Sequence, residues 1–508
     1  MNQLLGLRTL GDLKKTGYQS RSIKEELREN LIKKLRNKEN VFEGIWGYEE
    51  TVIPDIERAI LSKHHINLLG LRGQAKTRIA RLMVELLDEY IPIVAGSELN
   101  DDPLLPLSRY AIDVIAEKGD ETPISWLHRN DRYTEKLATP DVSVADLIGD
   151  VDPIKAASLK LPYSDERVIH FGLIPRSHRC IFVINELPDL QARIQVSLFN
   201  ILQEGDIQIR GFKLRLPLDI QFVFTANPED YTNRGSIVTP LKDRIDSQIL
   251  THYPKSIEIG KKITSQEAKL ANAQKDRVYI PELLKDLVEQ VAVEARNSEY
   301  VDAKSGVSAR LTIAALENLV SAAERRLLLN GENLTTLRIS DLIGVLPAIT
   351  GKIELVYEGE QEGAAIVAQN LLSKAIRTQF GQYFINPEQG KKMKDKNPYQ
   401  AILEWFGNGN SIDLLNDAPQ EEYKQKLKEV KGLEGLIKET FKNLPESEFY
   451  LMMEFAIHGL AEYSQLSKKI LTRSLQFSDI LSGMLNMPNF GKYEDEDDED
   501  EDFGYKKR

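Results

Sequence analysis

The sequence predicts an α/β core built on a parallel sheet and followed by helical regions. Three observations carry that expectation. Short apolar runs alternate with helical stretches between about residues 41 and 254, the strand signal then gives way to helical periodicity, and one apolar run passes through a glycine-containing loop directly into a helix. Apolar runs separated by helices are the mark of parallel strands covered on both faces.

The 508-residue chain is 42% hydrophobic and 28% charged, an ordinary globular composition at a length suited to two to four domains. Residues 1–40 alternate in charge, and Ile23, Leu27, Leu31 and Leu35 fall four apart on one face, which predicts an amphipathic leader helix. The α/β core is expected over 41–254, with strands at "INLLG" (66–70), "IPIVAG" (91–96), "CIFVINE" (180–186), "IQFVFTANP" (220–228) and "SQILTHYP" (247–254). More than 80 residues separate the second run from the third, beyond what a crossover needs, so further elements are expected there.

Helical periodicity in "ARLTIAALENLVSAAERRLLL" (309–329) and "AAIVAQNLLSKAIRTQF" (364–380) places a helical section over 255–350 and a further helical region over 351–490, with a polar linker near 386–398. Residues 491–508 hold nine consecutive acids, Glu494 to Asp502, before a basic end, and self-repulsion predicts a disordered, solvating tail.

Several function classes are disfavoured. No stretch of about 18 apolar residues occurs and the N-terminus lacks a secretory core, so a soluble cytoplasmic protein is expected. The single cysteine, Cys180, rules out an internal disulfide and falls in a buried run as an inert thiol, and the seven histidines show no zinc spacing. His64 and His65 are expected to cap the first strand or face solvent, and Trp126 and Trp405 to anchor cores. A net charge of −12 gives no general support for gripping nucleic acid.

The strongest chemical signal is "GLRGQAKT" (70–77), set between the strand "INLLG" and the helical "RIARLMVELLDEY". Strand, glycine loop, Lys-Thr and helix form the context of a phosphate-binding loop, whose backbone N–H groups and helix N-terminus face phosphate oxygens. Gly70, Arg72, Gly73, Gln74, Ala75, Lys76 and Thr77 are its expected nucleotide contacts, with Lys76 on the β and γ phosphates of ATP and the Thr77 hydroxyl on Mg²⁺. Ala75 stands where glycine normally precedes the lysine. Its Cβ either crowds the phosphate or penalises a positive φ by roughly 1–2 kcal/mol, a weakening of about tenfold.

A second acidic site ends the run "RCIFVINELPDL" (179–190), where Asn185-Glu186 replaces the usual Asp-Glu. Glu186 is the candidate for polarising the attacking water. Asn185 keeps an acceptor oxygen beside Mg²⁺ but loses the charge, which predicts weaker metal binding and slow hydrolysis. Restoring an acid there is expected to raise Mg²⁺ affinity.

With these sites in place, the chain resembles the AAA+ ATPases of the magnesium-chelatase I-subunit and MoxR branch over about residues 40–350. "FEGIWGYEE" (42–50) is similar to the segment that closes over adenine, with Gly47 at its turn; "FTANPED" (224–230) resembles the sensor 1 strand, with Asn227 toward the γ phosphate and the lytic water; "TPLKDRID" (239–246) is similar to the run holding the arginine finger, Arg244; and "GVSARLTIAAL" (306–316) resembles the start of the sensor 2 helix, with Arg310 on the nucleotide.

"IHFGLIPRSHR" (169–179) takes the place of the helix 2 insert, and "DIQIRGFKLRLPLDI" (206–220) that of the presensor 1 hairpin, where Arg210, Lys213 and Arg215 read best as solvated charges. The resemblance implies a P-loop NTPase core with a helical lid, ATP and Mg²⁺ as cofactors, a homo-oligomeric ring, a hexamer in this branch, and a protein client carrying a von Willebrand factor A domain. Two alternatives stand beside ATP-driven remodelling: an ATP-gated scaffold with little turnover, motivated by Ala75 and Asn185, and a nucleic-acid motor or transcription activator, opposed by the acidity.

Overall fold

The computed structural model describes residues 5–163, 165–209, 215–228, 236–390, 397–471 and 474–480. Two compact units emerge from the contacts: one of residues 1–269, 292–316 and 347–368, the other of residues 270–291, 317–346 and 369–508. These units cut the chain differently from the linear division expected from sequence.

The first unit holds the strands β1 (Ile66–Leu69), β2 (Tyr90–Val94), β3 (Ile124–His128), β4 (Tyr133–Leu137), β5 (Gly149–Val151), β6 (Ile169–Phe171), β7 (Cys180–Asn185), β8 (Asp206–Gln208), β9 (Arg215–Pro217), β10 (Ile220–Ala226) and β11 (Ser247–Leu250). Five of them form one parallel sheet in the order β11-β1-β10-β7-β4. Successive side chains of a strand point to opposite faces, and both faces are covered. Ile181 and Val183 join a core with Ile66, Leu68, Val223 and Ile249, while Phe182 and Ile184 join another with Phe222, Phe224 and Ala226. That double burial is why the central strands read as unbroken apolar runs.

The five-stranded parallel sheet is as expected, but one member differs. The run at 91–96 is not in it: β2 pairs antiparallel with β3 in a separate two-stranded ribbon. Pro92 in β2 has no N–H to give a ladder and suits an edge rather than a sheet interior. The fifth strand is β4, "YTEKL", at the sheet edge and only half-buried for most of its length. Its polar alternation lacks the apolar signal of the central strands.

The long stretch before β7 also contains the antiparallel pair β5–β6 with the helix Pro153–Leu159 between them. The expected hairpin at 206–220 is present as the antiparallel pair β8–β9; Arg210, Lys213 and the side chain of Arg215 lie outside the described residues, as does the acidic tail.

The leader sequence is part of the first unit. Its helix Ile23–Asn37 opens with a capping box between Ser22 and Glu25 and buries Ile23, Leu27 and Leu31, while Leu35 stays exposed. From the same helix the buried Glu26 receives two hydrogen bonds from the Arg132 guanidinium, at 2.7 and 2.6 Å, and one from the Asp88 N–H at 2.6 Å. His65 is buried, so of its two expected roles, capping the first strand or facing solvent, the second does not hold. Its ring accepts from the Phe222 N–H at 3.2 Å, and burial together with the charges of Lys24 and His64 lowers its pKa to about 3. Cys180 is buried as expected, and burial pushes its thiol up to about 12. Trp126 and Trp405 are each half-buried.

The second unit is mostly helical, centred on the helix Glu446–Glu462, whose residues 450–460 are all buried. Glu454 on it accepts from the N–H groups of Ile339 and Ser340 at 2.8 and 2.9 Å and from the Tyr423 hydroxyl at 2.9 Å. The region is not purely helical. Short strands at Ile412–Leu415, Ser467–Ile470 and Ser474–Ser478 form a three-stranded antiparallel sheet, from segments too short and too polar to stand out in the sequence.

Candidate functional site

In an open parallel sheet, ligands bind beyond the carboxyl ends of the strands, and the motif residues gather at that edge. β1 ends just before Gly70, β7 ends at Asn185 just before Glu186, β10 ends just before Asn227, and β11 just before Thr251 and His252. Between them lies a cavity of about 490 Å³ lined in part by Arg72, Gly73, Gln74, Ala75, Lys76, Thr77, Asn185, Glu186, Asn227 and Arg310. Small-molecule sites usually run from about 300 to 1,000 Å³.

The loop after β1 is held by specific contacts. Gln74 is buried, its Oε1 accepting from the Thr251 hydroxyl at 2.7 Å and its carbonyl from the Tyr48 hydroxyl at 3.1 Å. Burial raises the Tyr48 hydroxyl to about 12, so it remains a donor. Gly73 has φ +72, and a Cβ there would meet the Ser308 Oγ at 2.1 Å, so this position requires glycine. Ala75 has φ 58 and ψ 13, the left-handed conformation that penalises a Cβ, and as N-cap of the helix Lys76–Leu82 it offers no side-chain acceptor to the first-turn N–H groups.

Lys76 Nζ donates to the Leu71 carbonyl at 2.8 Å, to the Gly70 carbonyl and to Asn227 Oδ1 at 2.8 Å. Arg72 turns another way, to the Ser305 Oγ at 2.7 Å and to Glu354, although it also lines the cavity.

The acid side of the cavity is a connected network. Thr77 Oγ1 donates to Asn185 Oδ1 at 3.3 Å, Thr225 Oγ1 donates to the same oxygen at 3.1 Å, and the Glu186 N–H donates to Thr225 Oγ1 at 3.1 Å. Glu186 itself sits at φ 56 and ψ 49. Left-handed backbone at a non-glycine residue costs about 1–3 kcal/mol and concentrates at functional sites. Thr77 and Asn185 supply the oxygen donors that suit Mg²⁺, which is usually held by few protein groups. Among the described residues no group of three or more His, Cys, Asp or Glu side chains is gathered for a metal.

The opposite wall comes from 44–48 and the helices Ile257–Glu267 and Arg310–Leu329. Gly44, Ile45, Trp46, Ile263, Gln266 and Ile313 line it, with Trp46 Nε1 donating to Gln266 Oε1 at 2.7 Å. Gly47 turns the chain here at φ +80, where a Cβ would meet Ile259 Cγ2 at 2.8 Å. Arg310 is exposed at the start of its helix.

Gly47 and Gly70 shape the walls without lining the cavity. Arg244 lies apart from it, at the end of the helix Thr239–Arg244, donating to the Pro240 carbonyl at 2.7 Å and to Gln203 Oε1 at 3.0 Å and resting over the Phe199 ring at 5.0 Å. Glu135 of β4 was not singled out from sequence, yet its carboxylate accepts from Asn185 Nδ2 at 2.7 Å. Only the pairing of β4 beside β7 reveals it.

No family model matches the chain. Among solved structures, NtrX from Brucella abortus in complex with ADP aligns at 12% identity over 57% of this chain and 49% of its own, with a TM-score of 0.29, so the chain spans about half the length of that protein. A putative ATPase from Cytophaga hutchinsonii aligns at 18% identity over 71% of this chain and 97% of its own, with a TM-score of 0.27. A complex of the BchI and BchD subunits of magnesium chelatase aligns at 18% over 63% and 98%, with a TM-score of 0.34. The strand order and the loop after β1 give this core the α/β fold of a P-loop NTPase. No helix among the described residues is long and apolar enough to cross a membrane.

Proposed function

We propose that the chain is an ATP-binding and ATP-hydrolysing ring ATPase, similar to the magnesium-chelatase I-subunit and MoxR proteins, that remodels or activates a partner protein. One observation carries this reading: Lys76, Thr77, Asn185, Glu186 and Asn227 converge on one cavity at the carboxyl edge of the sheet. The chemistry of the residues fits the cofactors. Lys76 provides a cation, the uncapped first turn provides N–H donors for phosphate, and Thr77 and Asn185 provide oxygen donors for Mg²⁺, which when bound would neutralise phosphate charge. Glu186 orients and polarises the attacking water, and Asn227, hydrogen-bonded to Lys76, senses the γ phosphate.

Arg310 approaches the same nucleotide from the lid, while Arg244, set apart from its own cavity, serves a neighbour's nucleotide in a hexameric ring. The client carries a von Willebrand factor A domain, and the setting is the cytoplasm. A second reading, an ATP-gated scaffold with little turnover, is favoured by the left-handed Ala75 and the uncharged Asn185. The acidic net charge of −12 leaves a nucleic-acid motor or transcription activator without support.

Replacing Lys76 with Ala should abolish binding of a fluorescent ATP analogue; unchanged affinity would sink the nucleotide site. Steady-state turnover compared with nucleotide affinity separates motor from scaffold, and Glu186→Gln, which should hold ATP and its client, would retrieve the partner.

A further inference from the structure

We infer that Glu135, on the neighbouring strand β4, is a positioning residue for the metal side of this site: it orients the Asn185 amide and supplies the carboxylate charge that position 185 lacks. The inference rests on the nucleotide-site reading above and deepens it.

The geometry begins with the sheet. β4 lies beside β7 in parallel register, with Glu135 opposite Val183 and Leu137 opposite Asn185. That places the Glu135 side chain within reach of Asn185, and its Oε1 accepts from Asn185 Nδ2 at 2.7 Å. An amide's oxygen and nitrogen are told apart by their partners, and here the partners decide. Thr77 and Thr225 hydroxyls, which can donate or accept, contact one end of the amide, and the Glu135 carboxylate, an acceptor, contacts the other. Only one orientation satisfies all three, with Nδ2 toward Glu135 and Oδ1 toward Thr77. The carboxylate thereby fixes which atom Asn185 presents to the metal position.

Glu135 is itself held in place. The Arg81 guanidinium donates to it from Nε at 3.0 Å and from a terminal nitrogen at 3.2 Å, and the Tyr133 hydroxyl donates at 3.0 Å. Arg81 extends from the helix that follows the phosphate loop and also lines the cavity. Its side chain is mostly exposed, 63% against 24% for Glu135, so solvent screens the pair. The usual Asp-Glu arrangement is thus rebuilt across two strands, with an amide on β7 and its charge on β4.

This placement makes the single change Asn185→Asp different from a simple restoration. It would set two carboxylates in contact and remove the donor that joins them. Asn185→Asp combined with Glu135→Gln keeps the hydrogen bond with donor and acceptor exchanged and returns one charge to the pair.

The test measures affinity for a fluorescent ATP analogue across a Mg²⁺ series and in excess chelator, together with the melting temperature of the nucleotide-free protein. Partners that orient metal ligands typically change metal affinity 10–100-fold, so Glu135→Gln should raise the Mg²⁺ concentration for half-maximal response about tenfold. Affinity in chelator and the melting temperature should hold near wild type, and the double variant should recover Mg²⁺ dependence better than either single one. An unchanged Mg²⁺ dependence in Glu135→Gln overturns the role, and so does a loss that appears equally in chelator and in melting temperature, which would mark a structural residue. If the wild-type chain binds no analogue with or without Mg²⁺, the nucleotide site itself fails, and that result is distinguishable because it precedes any variant.

Discussion

Replacing Ala75 with Gly isolates the energetic meaning of the phosphate loop's irregular residue. From sequence alone, a Cβ at this position has two possible costs, crowding of a phosphate or strain at positive φ. In the structure φ is 58, so strain at positive φ is the cost that the fold shows at this residue. Left-handed backbone costs an alanine about 1–2 kcal/mol, and glycine gives back about 0.4–1 kcal/mol through its freer unfolded chain, leaving a net gain in stability of about 0–1.6 kcal/mol. Since 1.4 kcal/mol corresponds to a tenfold change, an affinity unaffected by φ should move by less than about threefold.

The assay is denaturant unfolding followed by tryptophan fluorescence, alongside titration with a fluorescent ATP analogue. A gain of tenfold or more in affinity with no change in stability would refute this reasoning and move the cost to contact between the Cβ and the phosphate. A loss of stability would refute the left-handed assignment.

Arg244→Ala should lower hydrolysis by about 10³-fold or more while leaving nucleotide binding intact, and mixing it with Glu186→Gln should recover activity that neither has alone; stability loss without turnover loss would argue against an active site shared between subunits. Glu26→Ala strands the buried Arg132 guanidinium and should destabilise the first unit by about 3–5 kcal/mol in denaturant titrations, whereas a leader helix that merely rests on the surface would cost much less.

His65 carries a pH dependence. Its folded pKa of about 3 lies below the ordinary value of 6.5, so the unfolded chain binds the extra proton and stability falls as pH drops from about 6.5 toward 3, at about 1.4 kcal/mol per unit for this one group. His65→Asn, which cannot titrate, should flatten unfolding free energy against pH over that window, and an unchanged slope would contradict it.

Much of this was already determined by local sequence. An apolar run running into "GLRGQAKT" and a helix specifies strand, loop and helix by short-range chemistry, and Lys76, Thr77, Asn185, Glu186, Asn227 and Arg310, named from motifs without any knowledge of packing, line one cavity. The central strands β1, β7 and β10 were legible because burial on both faces demands continuous apolar residues.

What tertiary structure decided lies at edges and across strands. β4 sits at the sheet's edge with polar side chains, so its membership depends on pairing with β7 rather than on any pattern of its own, and the expected strand at 91–96 went to a separate ribbon with Pro92 in it. The burial of His65 and of Glu26 follows from long-range contacts, with Phe222 for the first and Arg132 for the second. The Glu135–Asn185 hydrogen bond joins residues 50 positions apart, and the sequence could state that a charge was missing at 185 but not that a neighbouring strand would bring one beside it. Short-range patterns record what each segment can become; which side chains meet is set by strand order, and that order is fixed only when the whole sheet is assembled.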